Sequence, residues 1–290
     1  MIMGEKLDPK EVINELSNKT IEQCRQAIAI NTKLIENNPN NSRAYIKRGA
    51  AYSTIELYYN AISDYTKAIE LDPEYAAAYN TRGDAYSTTE QYDEAIADYA
   101  KAIELNPALT AVYFSRGLAY GNIQKYDNAI ADLTTAIELN PIHAKAYFGR
   151  GLAYGNIQKY DNAIADLTTA IELNPSHAEA YANRGLVYNK IQKYDNAIAD
   201  LTTAIELNPT RAKTYFFRGF AYNSIQQSDK AIADYTKGIE LNLRGTANEL
   251  HLRAGSFDKC ACEEGIITME EALEKIKRLK TQGAKTTESK

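Results

Sequence analysis

The stretch that decides the fold is GLAYGNIQKYDNAIADLTTAIELNP, from Gly117 to Pro141. It recurs without a change from Gly151 to Pro175, thirty-four residues further along, and a near copy runs from Gly185 to Pro209. A fixed period of this length is the signature of a stacked repeat protein, in which each unit contacts only its neighbours. We therefore expect function to lie on an extended surface that several repeats build together.

Small residues and tyrosines recur at fixed positions in every unit. Tyrosines seven residues apart lie on one helical face, and small residues let two helices approach closely, so each unit predicts a helix, a turn and a second helix. The recurring glycines are Gly49, Gly83, Gly117, Gly151, Gly185 and Gly219, and the alanines are Ala61, Ala95, Ala129, Ala163, Ala197 and Ala231.

The ends of the second helices are also marked. A proline, which cannot continue a helix, closes five units at Pro73, Pro107, Pro141, Pro175 and Pro209. An aspartate stands where each second helix is expected to begin, and its carboxylate is predicted to cap the helix by accepting free backbone N–H groups. These aspartates are Asp93, Asp127, Asp161, Asp195 and Asp229.

These residues resemble the tetratricopeptide repeat family. The resemblance rests on an aromatic residue at the fourth position of each repeat, Gly at the eighth, Tyr at the eleventh, Ala at the twentieth, an aromatic residue or Leu at the twenty-fourth, and Pro at the thirty-second. It implies an all-α fold, a right-handed superhelical solenoid of antiparallel helix pairs. It also implies a non-enzymatic scaffold or adaptor for protein–protein interactions.

Six such units occupy residues 42–245, and the N-terminal flank departs from the pattern. Residues 1–41 are predicted to form a degenerate capping repeat. Ala27 and Pro39 match a second helix, whereas the first-helix positions that should be aromatic or small carry polar residues, namely Glu11, Glu15 and Asn18. End repeats are commonly atypical because one of their faces has no neighbour.

The C-terminal flank is predicted to form capping helices over residues 246–282, followed by a disordered tail, 283–290, that lacks large apolar residues. The second of these helices has a capping box and an apolar stripe of Ala272, Leu273, Ile276 and Leu279. That stripe is expected either to cover the last repeat or to occupy the binding groove and inhibit it.

The resemblance implies that a partner binds the concave wall of first helices, where the second, fifth, ninth, twelfth and thirteenth positions point inward. In the third to sixth repeats these positions are rich in apolar residues, amides and lysines. They predict a groove for a protein segment with apolar and acidic side chains. The predicted groove residues are Phe114, Leu118, Asn122, Lys145, Phe148, Leu152, Asn156, Leu186, Asn189, Lys213, Phe216, Phe220 and Asn223, with Lys190 adding charge.

Two other interpretations of the same residues are open. The phenylalanines and leucines could pack between neighbouring first helices, because stacking buries apolar surface in any repeat array. The apolar wall could also bind a second copy of the chain and make a homo-oligomer.

An arginine and an aspartate recur in every repeat, sixteen residues apart. They are predicted to form a ladder of bidentate, partly buried ion pairs that fixes the register of the stack. The arginines are Arg48, Arg82, Arg116, Arg150, Arg184 and Arg218, and the aspartates are Asp64, Asp98, Asp132, Asp166, Asp200 and Asp234.

Composition and motifs exclude several function classes. A net charge of -5 over 290 residues argues against a nucleic-acid partner. The sequence has no apolar run that could span a membrane and no secretion signal, so we expect a cytoplasmic protein. Its three histidines build no catalytic constellation and there is no phosphate-binding loop, so neither an enzyme nor a cofactor is predicted.

One spot suggests other chemistry, the Cys-Ala-Cys sequence at Cys260 and Cys262. With His251 it offers three potential metal ligands, whereas a structural zinc normally takes four. We therefore predict no metal site and keep a metal or redox role as the less favoured alternative.

Overall fold

The computed structural model describes residues 9–248 and 273–279, with side chains from residue 18 to 242 and in the C-terminal segment. Every regular element in these ranges is an α-helix, which confirms the predicted all-α fold. The helices are α1 Pro9–Asn37, α2 Ser42–Thr54, α3 Tyr58–Leu71, α4 Ala76–Thr88, α5 Tyr92–Leu105, α6 Thr110–Asn122, α7 Tyr126–Leu139, α8 Ala144–Asn156, α9 Tyr160–Leu173, α10 Ala178–Lys190, α11 Tyr194–Leu207, α12 Ala212–Ser224, α13 Ser228–Asn248 and α14, residues 273–279.

The chain forms two compact units, Met1–Ala119 and Tyr120–Lys290. Within the first unit, α2 packs on α3 and α4 on α5. Within the second, α8 packs on α9, α10 on α11 and α12 on α13. Each pair consists of the first and second helix of one repeat, as the thirty-four-residue period predicts.

Close approach of the two helices in a pair explains the repeated glycine. A Cβ atom added to Gly49 would lie 2.7 Å from Cε1 of Tyr65, and one added to Gly185 would lie 2.7 Å from Cγ of Leu201. Tyr65 and Leu201 are buried in the second helices of their repeats, where burial of such a side chain contributes about 1.5–3 kcal/mol. The glycine makes room for that side chain.

The turn inside each repeat uses a left-handed residue that the sequence did not reveal. Glu56, Glu90, Gln124, Gln158, Gln192 and Gln226 all have φ between 60° and 62°, a conformation that costs a non-glycine residue about 1–2 kcal/mol. In the first repeat the backbone N–H of Leu57 donates to the carbonyl oxygen of Tyr52 at 2.9 Å. This bond satisfies a carbonyl at the end of α2, as in a Schellman C-cap.

The predicted aspartate caps are wrong for four second helices. The N-cap residues of α5, α7, α9 and α11 are Gln91, Lys125, Lys159 and Lys193, and none makes a side-chain capping bond. Each helix begins at a tyrosine, two residues earlier than an aspartate N-cap predicts, so the aspartate lies inside the first turn. There its negative charge still interacts favourably with the helix dipole and stabilises the helix by about 0.3–1 kcal/mol.

The N-terminal flank also differs from the prediction, because residues 9–37 form one continuous helix instead of a helix–turn–helix repeat. Its C-terminal half does take the place of a second helix: α1 packs on α2, and Arg48 donates from Nη1 to Thr32 Oγ1 at 3.1 Å.

The C-terminal flank is described only in part. Helix α13 continues through residue 245, where we had placed the end of the repeats, to Asn248. In α14, Ile276 and Leu279 pack against the buried cluster of Phe216, Ala231 and Tyr235 in the sixth repeat. The predicted disordered tail, 283–290, and the Cys-Ala-Cys sequence lie outside the described residues.

Candidate peptide-binding surface

The arginine ladder holds first and second helices together. In the fourth repeat Arg150 donates from Nε to Asp166 Oδ2 at 2.7 Å and from Nη2 to Asp166 Oδ1 at 2.8 Å. Its Nη1 donates to Thr134 Oγ1, in the preceding repeat, at 3.0 Å. The predicted bidentate pairs are thus confirmed, and each also bonds to the neighbouring repeat. Matching geometry occurs at Arg48, Arg82, Arg184 and Arg218.

Two tyrosines also flank the guanidinium. The Cζ atom of Arg150 lies 5.7 Å from the ring centroid of Tyr147 and 5.9 Å from that of Tyr154, close enough for a cation–π contribution. The hydrogen bond to Asp166 is the largest cause that raises the pKa of this guanidinium, and desolvation opposes it. The two tyrosine positions therefore hold the arginine as well as the helix pair, which the sequence analysis missed.

In the second unit the first helices lie side by side, since α8 contacts α10 and α10 contacts α12. We call the face that they share the first-helix wall. Lys145, Lys190 and Lys213 are exposed on these helices, and four other predicted groove residues are half-buried and four buried. The half-buried residues are Phe148, Asn156, Phe220 and Asn223, and the buried ones are Leu152, Leu186, Asn189 and Phe216.

Two of the predicted aromatic residues pack between elements of the array. Phe148 packs against the buried cluster of Ala170, Ile171 and Ala180, which joins its own repeat to the next, and its ring centroid lies 4.6 Å from that of His177. Phe216 is only 4% exposed, and its Cε1 lies 2.7 Å from where a Cβ of Gly238 would stand. For these residues the structure shows the packing that the sequence left as an alternative.

Two predicted groove residues and a small cavity lie in the first unit. Phe114 and Leu118 are half-buried on α6, and the third predicted residue of that helix, Asn122, belongs to the second unit. Between α2 and α4 lies a cavity of about 180 Å³ whose lining includes Asp84. Tyr99 Oη donates to Asp84 Oδ1 at 2.8 Å, while desolvation, the larger effect, raises the pKa of this carboxyl although it keeps some exposed surface.

The second unit has a cavity of about 260 Å³ on the first-helix wall between α10 and α12. We call it the notch. Asn189 donates from Nδ2 to the carbonyl oxygen of Phe217 at 3.0 Å and is 6% exposed. Its Oδ1 has no hydrogen-bond partner within the described residues. The notch is lined by Leu186, Asn189, Lys190, Gln192, Tyr194, Phe217 and Phe220.

Helix α14 lies beside the same aromatic residues. Lys275 Nζ is 5.4 Å from the ring centroid of Phe220, and Phe220 packs on the cluster that Ile276 and Leu279 contact. The segment therefore both covers the sixth repeat and touches a residue that lines the notch.

Residues 9–248 and 273–279 contain no helix that is long and apolar enough to cross a membrane. In that part of the chain, no three His, Cys, Asp or Glu side chains come together in a group that could hold a metal ion.

Comparisons with known families agree with the repeat geometry. Models described as "Tetratricopeptide repeat" match residues 76–109, 110–143, 144–177 and 178–211 and residues 42–75 and 212–244. The matches cover well over half of the 290 residues. No curated protein sequence matches the chain.

Several solved structures are similar. YrrB, described as a TPR protein with an unusual peptide-binding site, is 27% identical with a TM-score of 0.57, over 68% of this chain and 97% of YrrB. MamA is 30% identical with a TM-score of 0.54, over 61% of this chain and 97% of MamA. A chain of the APC/C hetero-tetramer Cut9–Hcn1 is 18% identical with a TM-score of 0.62, over 88% of this chain and 46% of the other, and so shows the fold alone.

Proposed function

The chain belongs to the tetratricopeptide repeat family, and on that premise we propose that it is a non-enzymatic scaffold that holds a segment of a partner protein. The site is the first-helix wall of the second unit. The similarity to YrrB, whose structure is described as having a peptide-binding site, supports a peptide ligand.

The observation that carries the proposal is the combination of charge and apolar surface on one wall. Lys145, Lys190 and Lys213 are exposed there, although the chain as a whole has a net charge of -5. Half-buried Phe220 and the notch lie among them. Such a surface favours a segment whose apolar side chains stand beside carboxylates, because local positive charge attracts and orients them.

Charge reversal on the wall tests the proposal. We would compare capture of partners from a native lysate by the full chain and by the variant Lys145→Glu, Lys190→Glu, Lys213→Glu. The matched control carries the same charge change at the exposed N-caps of second helices, Lys125→Glu, Lys159→Glu, Lys193→Glu. All three control substitutions are combined in one chain.

A partner that binds the wild type and the control, but not the wall variant, is the expected result. Its binding should weaken as salt rises, because the lysines are exposed. Equal capture by all three proteins would contradict the assignment of the wall. Circular dichroism of each variant serves as the control for correct folding.

Self-association stays the alternative, and a cytoplasmic location stays a prediction. Sedimentation of the pure chain over a hundredfold range of concentration separates the two functions. A mass that rises with concentration, and a wall variant that stays monomeric, would assign the wall to a second copy of the chain.

A further inference from the structure

The orientation of the Asn189 amide in the notch is determined by its neighbour. The carbonyl oxygen of Phe217, 3.0 Å away, can only accept a hydrogen bond, so the amide nitrogen must face it. The other end of the amide, Oδ1, is then an acceptor. It is buried and has no partner among the described side chains and backbone groups. A buried acceptor without a donor costs about 1–3 kcal/mol.

The rest of the notch is shaped for a single side chain. Its volume of about 260 Å³ is below the range of roughly 300–1,000 Å³ that drug-sized ligands occupy. Leu186, Phe217 and Phe220 supply apolar lining. Tyr194 and Phe220 meet edge to face, with ring centroids 6.4 Å apart and an interplanar angle of 63°. A third ring can join such a pair in the same tilted arrangements.

We propose that the notch is an anchor site for one aromatic side chain with a hydrogen-bond donor at its ring edge, a tyrosine or a tryptophan of the partner. The ring fills the apolar part of the notch, and the O–H or N–H group donates to Asn189 Oδ1. This inference rests on the proposed function and specifies the partner residue that the wall selects.

The rim of the notch indicates what surrounds that residue in the partner. Lys190 lines the notch and is exposed. An exposed ammonium group beside an apolar pocket favours aspartate or glutamate next to the aromatic anchor. A partner segment with an acidic residue flanking tyrosine or tryptophan therefore fits both the notch and its rim.

Uncharged amino-acid amides test the anchor without the partner. N-acetyl-tyrosinamide, N-acetyl-tryptophanamide and N-acetyl-phenylalaninamide are titrated into the full chain, with the Asn189 side-chain amide followed by NMR. The tyrosine and tryptophan amides should bind about threefold to tenfold more tightly than the phenylalanine amide, which corresponds to one neutral hydrogen bond. The Asn189 signal should shift with the same saturation as the notch resonances.

Two variants separate the hydrogen bond from packing. Asn189→Leu should remove the preference for tyrosine over phenylalanine, even if it also changes the overall affinity. Asn31→Leu is the control: Asn31 is buried in α1, donates from Nδ2 to the carbonyl oxygen of Ala27 at 2.7 Å, and likewise has an unpartnered Oδ1. It should keep the preference.

Equal affinity of the tyrosine and phenylalanine amides for the wild type would overturn the anchor, and would mean that a water molecule satisfies Asn189. An unchanged preference in Asn189→Leu would overturn it as well. Failure here is distinct from failure of the proposed function. If the chain shows no preference among the aromatic amides but still loses its partner when the wall lysines are reversed, the proposed function stands and only the anchor proposal fails.

Discussion

The ladder pair Arg150–Asp166 should show strong energetic coupling in a double-mutant cycle of Arg150→Leu and Asp166→Ala. The two side chains are only 16% and 9% exposed, and they share two short, charge-assisted hydrogen bonds. Removal of either partner leaves the other charge largely shielded from water. Breaking such a pair costs about 3–5 kcal/mol.

The contribution of the pair itself follows from its two bonds. Hydrogen bonds to charged groups contribute about 1.5–3 kcal/mol each before desolvation is subtracted, so we expect a coupling energy of about 2–4 kcal/mol. Arg150→Leu should cost more than Asp166→Ala, because the guanidinium also bonds Thr134 and stacks on two tyrosines. Thr134→Val, which removes only the bond between repeats, should cost about 1.5–3 kcal/mol, because the donor is a charged guanidinium.

Native-state hydrogen exchange of the α8 and α9 amides is the suitable assay, since repeat arrays open locally as well as globally. The amides of the double variant should be more protected from exchange than the summed losses of protection in the two single variants predict. Additive losses, with no coupling, would refute the conclusion that the pair acts as a unit. A Thr134→Val loss as large as that of Asp166→Ala would refute the dominance of the ion pair.

Three further predictions concern buried hydroxyls, pH and the C-terminal segment. Tyr99→Phe removes a hydrogen bond to Asp84 and should lower the free energy of unfolding by about 1.5–3 kcal/mol. Tyr235→Phe removes a hydroxyl without a described partner and should leave the free energy of unfolding equal or raise it by about 1 kcal/mol. Urea titrations in which both variants lose the same stability would contradict this. Burial, the largest cause in both residues, raises the pKa of Tyr99 and Tyr235 above the ordinary value. The unfolded tyrosines ionise at about pH 10, whereas the folded ones stay neutral. The stability that these two tyrosines contribute should therefore be full below about pH 10 and fall as the pH rises above it. A melting temperature that does not change above about pH 10 would contradict this. Deleting residues 268–290 should raise affinity for the partner in calorimetry, because α14 contacts Phe220, and unchanged affinity would show that α14 only covers the sixth repeat.

Local repetition explains why most of the fold was predictable from the sequence. Gly185 and Leu201 meet in the structure as the small and large positions of their repeat predict, and Arg150 meets Asp166. Both pairs are sixteen residues apart within one helix pair, so a short segment determines them. In the N-terminal flank, where residues 9–37 form one continuous helix, the repeat pattern misplaced a turn, because tertiary context can override a local pattern.

The site was less predictable because position in a repeat does not determine exposure. Phe216 and Phe220 are four residues apart on α12, yet Phe216 is buried against α13 and Phe220 remains half-buried. The difference arises partly at Gly238, where the other repeats carry alanine and Phe216 gains space. The unpartnered oxygen of Asn189 was also invisible in the sequence, since it depends on the position of the Phe217 carbonyl in the next repeat.

Site-specific photo-crosslinking tests the binding wall most directly. A benzophenone amino acid replaces Lys190, which lines the notch, in one protein and Lys159, an exposed N-cap residue of α9, in the other, and both are irradiated in native lysate. We predict that the partner lost on charge reversal of the wall crosslinks at position 190 through a segment containing tyrosine or tryptophan beside acidic residues, and does not crosslink at position 159. Crosslinking of that partner at position 159 alone would contradict binding to the first-helix wall.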